Sequence, residues 1–261
     1  MSSTTLPPPS TPSSTLSSSL SSTLLSSTPQ AVARQTGLLY LALAVSGMVG
    51  FLGFRSGLVV DQDAAATFAR MAAAPQDARW LVVAELALAT TQAWAAVWFF
   101  RFFRRVNALD AGVMVGAFGV ANAILLLGSA ACLGSAARMV HLPSLAVGGD
   151  VAHAVYMLVQ LSTDIWGVAA VFFGLWLIPM GHAVVVRRLM PKALGVVLMV
   201  GGVGYTAGAF VTYAFAVPPQ GVVDMLLFPA TVGEFWMIGY LLVFGVRPTA
   251  VPETIDAGTP K

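Results

Sequence analysis

Between Asp164 and Tyr205 the chain reads DIWGVAAVFFGLWLIPMGHAVVVRRLMPKALGVVLMVGGVGY, two apolar runs joined by Arg187, Arg188, Pro191 and Lys192. A run this long and apolar can lie in hydrocarbon only if its backbone amides are paired within the segment, which means a helix. The basic turn belongs in water on the cytoplasmic side, where lysine and arginine accumulate. The stretch is therefore a transmembrane helical hairpin, and the rest of the chain has to be compatible with it.

Composition says the rest is of the same kind. Of the 261 residues 57% are hydrophobic and 9% charged, whereas soluble domains carry about a quarter charged residues. The expected fold class is all-α, a polytopic membrane helix bundle. A formal net charge of +2 is too small to attract nucleic acid, so the bilayer is the expected partner and the basic residues are topology signals. The single Cys132 excludes an internal disulfide and a cysteine-rich metal site.

Six spans follow from the apolar runs: Gly37 to Phe54, Trp80 to Phe100, Ala111 to Gly134, Asp164 to Val186, Ala193 to Phe215, and Met225 to Val246. Residues 151–163 are either a helical extension of the fourth span or a separate interfacial turn. Asp63 followed by AAATFARMAAA reads as an N-cap opening a short surface helix that stops before Pro75. Residues 1–32 are rich in Ser, Thr and Pro and bury too little to order, so they form an expected disordered cytoplasmic tail; 33–247 is the membrane domain and 248–261 a second disordered tail. An even number of spans puts both termini on one face. Nine of the thirteen basic residues fall on that face and four, Arg55, Arg70, Arg79 and Arg138, on the other, which predicts cytoplasmic termini.

Three carboxylates interrupt the spans: Glu85, Asp164 and Glu234. A charge in hydrocarbon costs several kcal/mol and needs a partner, a proton or water. Glu85 lies six residues past Arg79, about 9 Å inside the outer boundary, and Glu234 thirteen residues before Arg247, about 20 Å from the cytoplasmic edge. All three acids then fall in the outer half, where Arg55 and Arg79 end spans. The expected site is a polar cluster of Arg55, Arg79, Glu85, Asp164 and Glu234 opening away from the cytoplasm, against the plainer reading of ion pairs that lock helices together.

No metalloprotease, nucleophile-elbow, phosphate-loop or paired-cysteine motif occurs. His153 and His182 are too far apart to share a metal. The sequence therefore leads to no enzymatic activity, no cofactor and no metal site. Small-xxx-small patterns, GVMVG from Gly112 and the Gly204–Gly208 pair, mark faces for close helix packing.

In order along the chain stand ARQTGLLYL from Ala33, RSGLVV from Arg55, DAAAT from Asp63, and the segment from Arg79 to Glu85. TDIW, FFGL from Phe172, Gly181, the P-K-x-L-G turn from Pro191, GxGY at Gly202, and GEFW closing with LLVFGVR complete the series. In their order and spacing these pieces resemble the bacterial Domain of Unknown Function 4386 family of multi-pass membrane proteins, over about residues 33–247. The chain departs from that pattern at Trp176, where many members carry a histidine. The resemblance implies a six-helix integral membrane protein of the bacterial inner membrane and brings no known substrate, reaction or cofactor. Acids gathered toward one face suit a membrane-embedded sensor or accessory subunit with an unidentified small ligand or membrane-protein partner. The alternative is a small-molecule or ion transporter or channel using the intramembrane carboxylates.

Overall fold

The computed structural model describes residues 28–146 and 148–247. The expected tails lie outside these residues, except that the first helix already begins at Pro29. In chain order the helices are α1 (Pro29–Leu58), the short α2 (Ala64–Ala73), α3 (Pro75–Arg105), α4 (Leu109–His141), α5 (Val151–Val186), α6 (Lys192–Ala214) and α7 (Gln220–Val243). All but α2 are long and apolar enough to cross a membrane. Among the described residues there is no strand.

Local chemistry sets the boundaries. Pro29 needs no amide donor at the first helical position, and the Thr28 hydroxyl accepts from the Ala31 N–H at 3.2 Å. Asp63 caps α2 by accepting from the Ala66 N–H at 2.8 Å, as its position predicts. Asp150 caps α5, accepting from the His153 N–H at 3.0 Å and lying 2.7 Å from its Nδ1, which holds the Asp150 carboxyl below its ordinary range. Helix α5 is continuous from that cap, so residues 151–163 extend the fourth span instead of forming a separate turn. Helix α7 ends at Val243 and is closed by Gly245 just beyond it, whose φ of +71° suits glycine and whose N–H bonds to the Tyr240 carbonyl at 3.0 Å.

The six long helices close into a ring. Each packs on its successor from α3 to α7, α1 packs on α3, and α7 returns to α1, while α2 lies against α5. Gln30 seals the ring with two hydrogen bonds, donating to the Val246 carbonyl at 2.6 Å and accepting from its N–H at 3.0 Å. Both described ends of the chain therefore sit on one face, called the terminal face below. Arg55 and α2 mark the opposite face.

Lipid chains are as apolar as leucine, so helices in a membrane associate through close packing instead of water exclusion. Helix α6 supplies this on two sides. Toward α5, a Cβ placed on Gly202 would sit 2.7 Å from the Gly174 carbonyl oxygen, and one on Gly195 2.7 Å from that of Gly181. Toward α7, a Cβ on Gly204 would collide with the Leu226 carbonyl and one on Gly201 with the Ala230 backbone. The hairpin from Asp164 to Tyr205 is thus held backbone to backbone along its length.

Gly174→Ala should lower the unfolding midpoint of the detergent-solubilised protein, by about 1–3 kcal/mol for an overpacked contact, since its methyl would meet the backbone of Gly202 and Thr206. Gly239→Ala, where nothing lies within 4 Å, should leave the midpoint unchanged or raise it. Equal effects of the two substitutions would contradict the packing described.

Candidate functional site

Toward the C-terminal end of α1 the hydrogen-bond register changes. Residues Val49–Arg55 form a π-helix, and the Ser56 N–H reaches back five residues to the Phe51 carbonyl. In an α-helix Arg55 would share a face with Phe51 and Leu52, which are 61% and 64% exposed to the surroundings of the bundle. The wider turn instead aligns Arg55 with Gly50, five residues earlier, and both are buried. The register shift is what brings a guanidinium inside the ring.

Inside, Arg55 donates to Ser162 Oγ at 3.3 Å and to Thr163 Oγ1 at 2.5 Å. Ser162 Oγ lies 2.8 Å from Ser129 Oγ, which donates to Glu85 Oε1 at 2.5 Å. The Ser129 proton is committed to Glu85, so Ser162 is the donor between the two hydroxyls. A directed chain results, running Arg55 to Ser162 to Ser129 to Glu85, with every proton pointing toward the carboxylate. Trp166 Nε1 donates to the same Glu85 oxygen at 2.6 Å. Arg55, Ser129, Ser162 and Glu85 are all buried, and such chains polarise one another in a low dielectric. No direct ion pair joins Arg55 to Glu85; the two serines separate the charges.

Glu234 stands elsewhere. Tyr40 donates to its Oε1 at 2.6 Å. It lies nine residues before Val243, about 14 Å from the terminal end of α7, while Glu85 lies twenty residues before Arg105, about 30 Å from the same face. Counting depth from Arg247 overstated the position of Glu234, because the helix stops at Val243 and the chain turns aside at Gly245. The acids are therefore at different depths, and the expected five-residue cluster resolves into parts. Arg55 and Glu85 are joined through serines, and Trp166, which donates to Glu85 and lines the same cavity as Glu234, borders both places. Asp164 is exposed and contributes its backbone carbonyl to the Tyr213 hydroxyl at 2.9 Å. Arg79 is exposed and borders a separate hollow with Arg138 and His141.

Trp166 and Glu234 share a cavity of about 590 Å³ between α1 and α7, a size suited to a small organic ligand. The two helices touch at Gly37 and Leu241 near the terminal face and diverge above Tyr40 and Glu234. Met48, Phe51 and Leu52 of α1 and Thr231 and Phe235 of α7 form an exposed rim, so the opening faces sideways into the lipid. Inside, Trp166, Phe173 and Tyr205 stack in sequence, with centroids 6.0 Å apart at each step. Toward the terminal face Tyr40, Phe99 and Trp176 close the cavity as three rings in mutual edge contact, at 5.2, 5.5 and 5.7 Å. Trp176 is fully buried in the core. Beside it Gln92 donates to the Gly119 carbonyl at 3.3 Å. Gln92 Oε1, both amide atoms of Asn122 and the Trp176 indole N–H are buried without a protein partner.

Sequence reasoning found the acids and missed Ser129, Ser162, Trp166 and Tyr40. Among the described residues no group of three His, Cys, Asp or Glu side chains is placed to hold a metal.

This is the architecture of a polytopic, all-helical membrane protein with a lateral cavity. Over residues 35–245 the chain matches the family described as Domain of unknown function (DUF4386), and it belongs to that family. No curated protein and no solved structure matches it.

Replacing Ser129 with alanine removes the link between Ser162 and Glu85 and leaves the buried carboxylate with one donor fewer. A loss of about 1–3 kcal/mol is expected, the cost of under-satisfying a buried polar group. It is read as the thermal midpoint in micelles, with Ser46→Ala, whose hydroxyl bonds only its own helix at Ala42, expected to change little.

Proposed function

We propose that the protein is a membrane-embedded sensor or accessory subunit, without catalytic activity, that takes a small ligand from the bilayer through the opening between α1 and α7. The observation that carries this reading is the 590 Å³ cavity, apolar at its rim and bearing Glu234, Tyr40 and Tyr205 within. A site open to lipid and polar at its inner end suits a molecule that partitions into the membrane before it binds.

A transporter or channel needs a path that reaches both faces. Here the cavity meets the Tyr40–Phe99–Trp176 floor, and Phe102, Phe103, Met237 and Leu241, all buried, continue the closure toward the terminal face. That favours a binding role over a conducting one. The excess of arginine and lysine on the terminal face supports cytoplasmic termini in a bacterial inner membrane. The Arg55–Glu85 chain would then lie toward the outer face.

The test is lateral access. With the full-length protein in nanodiscs, an alkyl alcohol carrying a tail diazirine should label Met48, Phe51, Leu52 and Phe235 more strongly than the lipid-facing groove lined by Trp94 and Ile124. Gly47→Leu, which projects a side chain into the cavity, should reduce that labelling to the level of the groove. Uniform labelling of all lipid-facing helices in the wild-type protein would overturn the proposal.

A further inference from the structure

We propose that the cavity selects a lipophilic organic cation, an ammonium head with an apolar tail, seated with the head at Glu234. This rests on the lateral-binding reading above and adds the chemical class of the ligand.

Among the described residues the ion pair found is His153 with Asp150, far from this site, and Tyr40 supplies the hydrogen bond to Glu234. No lysine, arginine or histidine lines the cavity. Glu85, by contrast, accepts from two donors and faces Arg55 through the serines. The bundle thus contains one carboxylate provided with donors and a cation, and another provided with a single phenol. A carboxylate short of partners in a low-dielectric site favours any cation that can reach it.

The walls narrow the class further. Tyr40, Trp166, Phe173, Tyr205 and Phe235 line the cavity that holds the carboxylate, and aromatic rings attract cations through their quadrupoles, most of all the weakly hydrated ammonium head groups. Inorganic cations keep water or demand several oxygen ligands, whereas beside Glu234 the side-chain oxygens lining the cavity are the hydroxyls of Tyr40, Tyr205 and Thr231, the last at the exposed rim. An anionic amphipath would face Glu234 with no basic residue to offset the repulsion. A neutral one would leave the carboxylate as poorly satisfied as before. The α1 wall has the character of a tail site: buried Leu43 and the exposed rim residues Met48, Phe51 and Leu52 run along it from the interior to the lipid.

Three diazirine-tailed probes of equal chain length test the assignment: an alkyl trimethylammonium, the alcohol and the carboxylate. Each is equilibrated with the full-length protein in zwitterionic nanodiscs. Labelling at Phe51, Leu52 and Phe235 is divided by labelling at Trp94 and Ile124 in the same sample, which cancels differences in partitioning. The ammonium probe should exceed the alcohol in this ratio by about ten-fold, equivalent to ~1.4 kcal/mol, and Glu234→Gln should bring the two within about two-fold. Should that variant fail to fold, competition in the wild-type protein decides. Unlabelled dodecyltrimethylammonium should displace the ammonium probe and dodecanol should not.

Equal ratios for all three probes above the groove level, or the highest ratio for the carboxylate, would overturn the cation assignment and leave lateral binding standing. No cavity labelling by any probe would remove the lateral-binding reading and this inference with it.

Discussion

A carboxylate removed from water has to be stabilised by donors or by a counter-charge, and each unsatisfied one costs several kcal/mol. Much of this bundle is arranged around that constraint at Glu85. Three helices contribute to it: α4 with Ser129, α5 with Ser162 and Trp166, and α1 with Arg55. Satisfying one side chain on α3 therefore ties four helices together at the Arg55 face. Toward the other end of the molecule close packing takes a larger share, through the glycine faces of α6 and the three interlocking rings of Tyr40, Phe99 and Trp176, beside the hydrogen bonds of Gln30 to Val246 and of Trp98 to Gln35. A buried carboxylate thus gathers the helices at one face, while toward the other close contact predominates. The cavity lies where α1 and α7 leave the second region without joining the first.

The helices were legible in the sequence because each is an apolar run closed by arginine, lysine or proline. Their ends were less so. Helix α3 begins at Pro75 instead of Trp80, and α4 continues to His141 instead of Gly134. Apolarity marks where hydrocarbon ends, while a helix continues until a cap or breaker stops it. The depth of Glu234 was misplaced for the same reason, since Arg247 marks an interface and Val243 marks the helix.

The acids were visible as charges in apolar surroundings, but their partners were not. Serine and threonine in membrane helices commonly bond the carbonyl four residues back, as Ser46, Thr90, Thr206 and Thr212 do here. Nothing local distinguishes Ser129 and Ser162, which bond across helices. Nothing in the sequence marks Tyr40 or Trp166 as a donor, and only the fold shows that each donates to a carboxylate. Glycine was more informative: Gly202 and Gly204 lie within the GxGY piece, and both prove to be points where backbones meet.

The π-helical turn of α1 connects the two halves of the site, and hydropathy gives no hint of it, because a hydrogen-bond register leaves no trace in polarity. It solves a conflict of phase. Phe51 and Leu52 have to face lipid, and Arg55, three and four residues on, has to face Glu85. A regular helix puts all three on one side. The inserted turn separates them, so the same short segment supplies the lipid-facing rim of the cavity and the buried guanidinium of the serine chain. Glu234 and Glu85 have no direct contact. They are joined through Trp166, which borders the cavity while its indole N–H holds Glu85, and through a helix whose local winding serves both. A ligand that displaced Phe51 or Trp166 would therefore bear on the Arg55–Glu85 chain without reaching it, which is the coupling a sensor requires between a site in the membrane and a structure at its face.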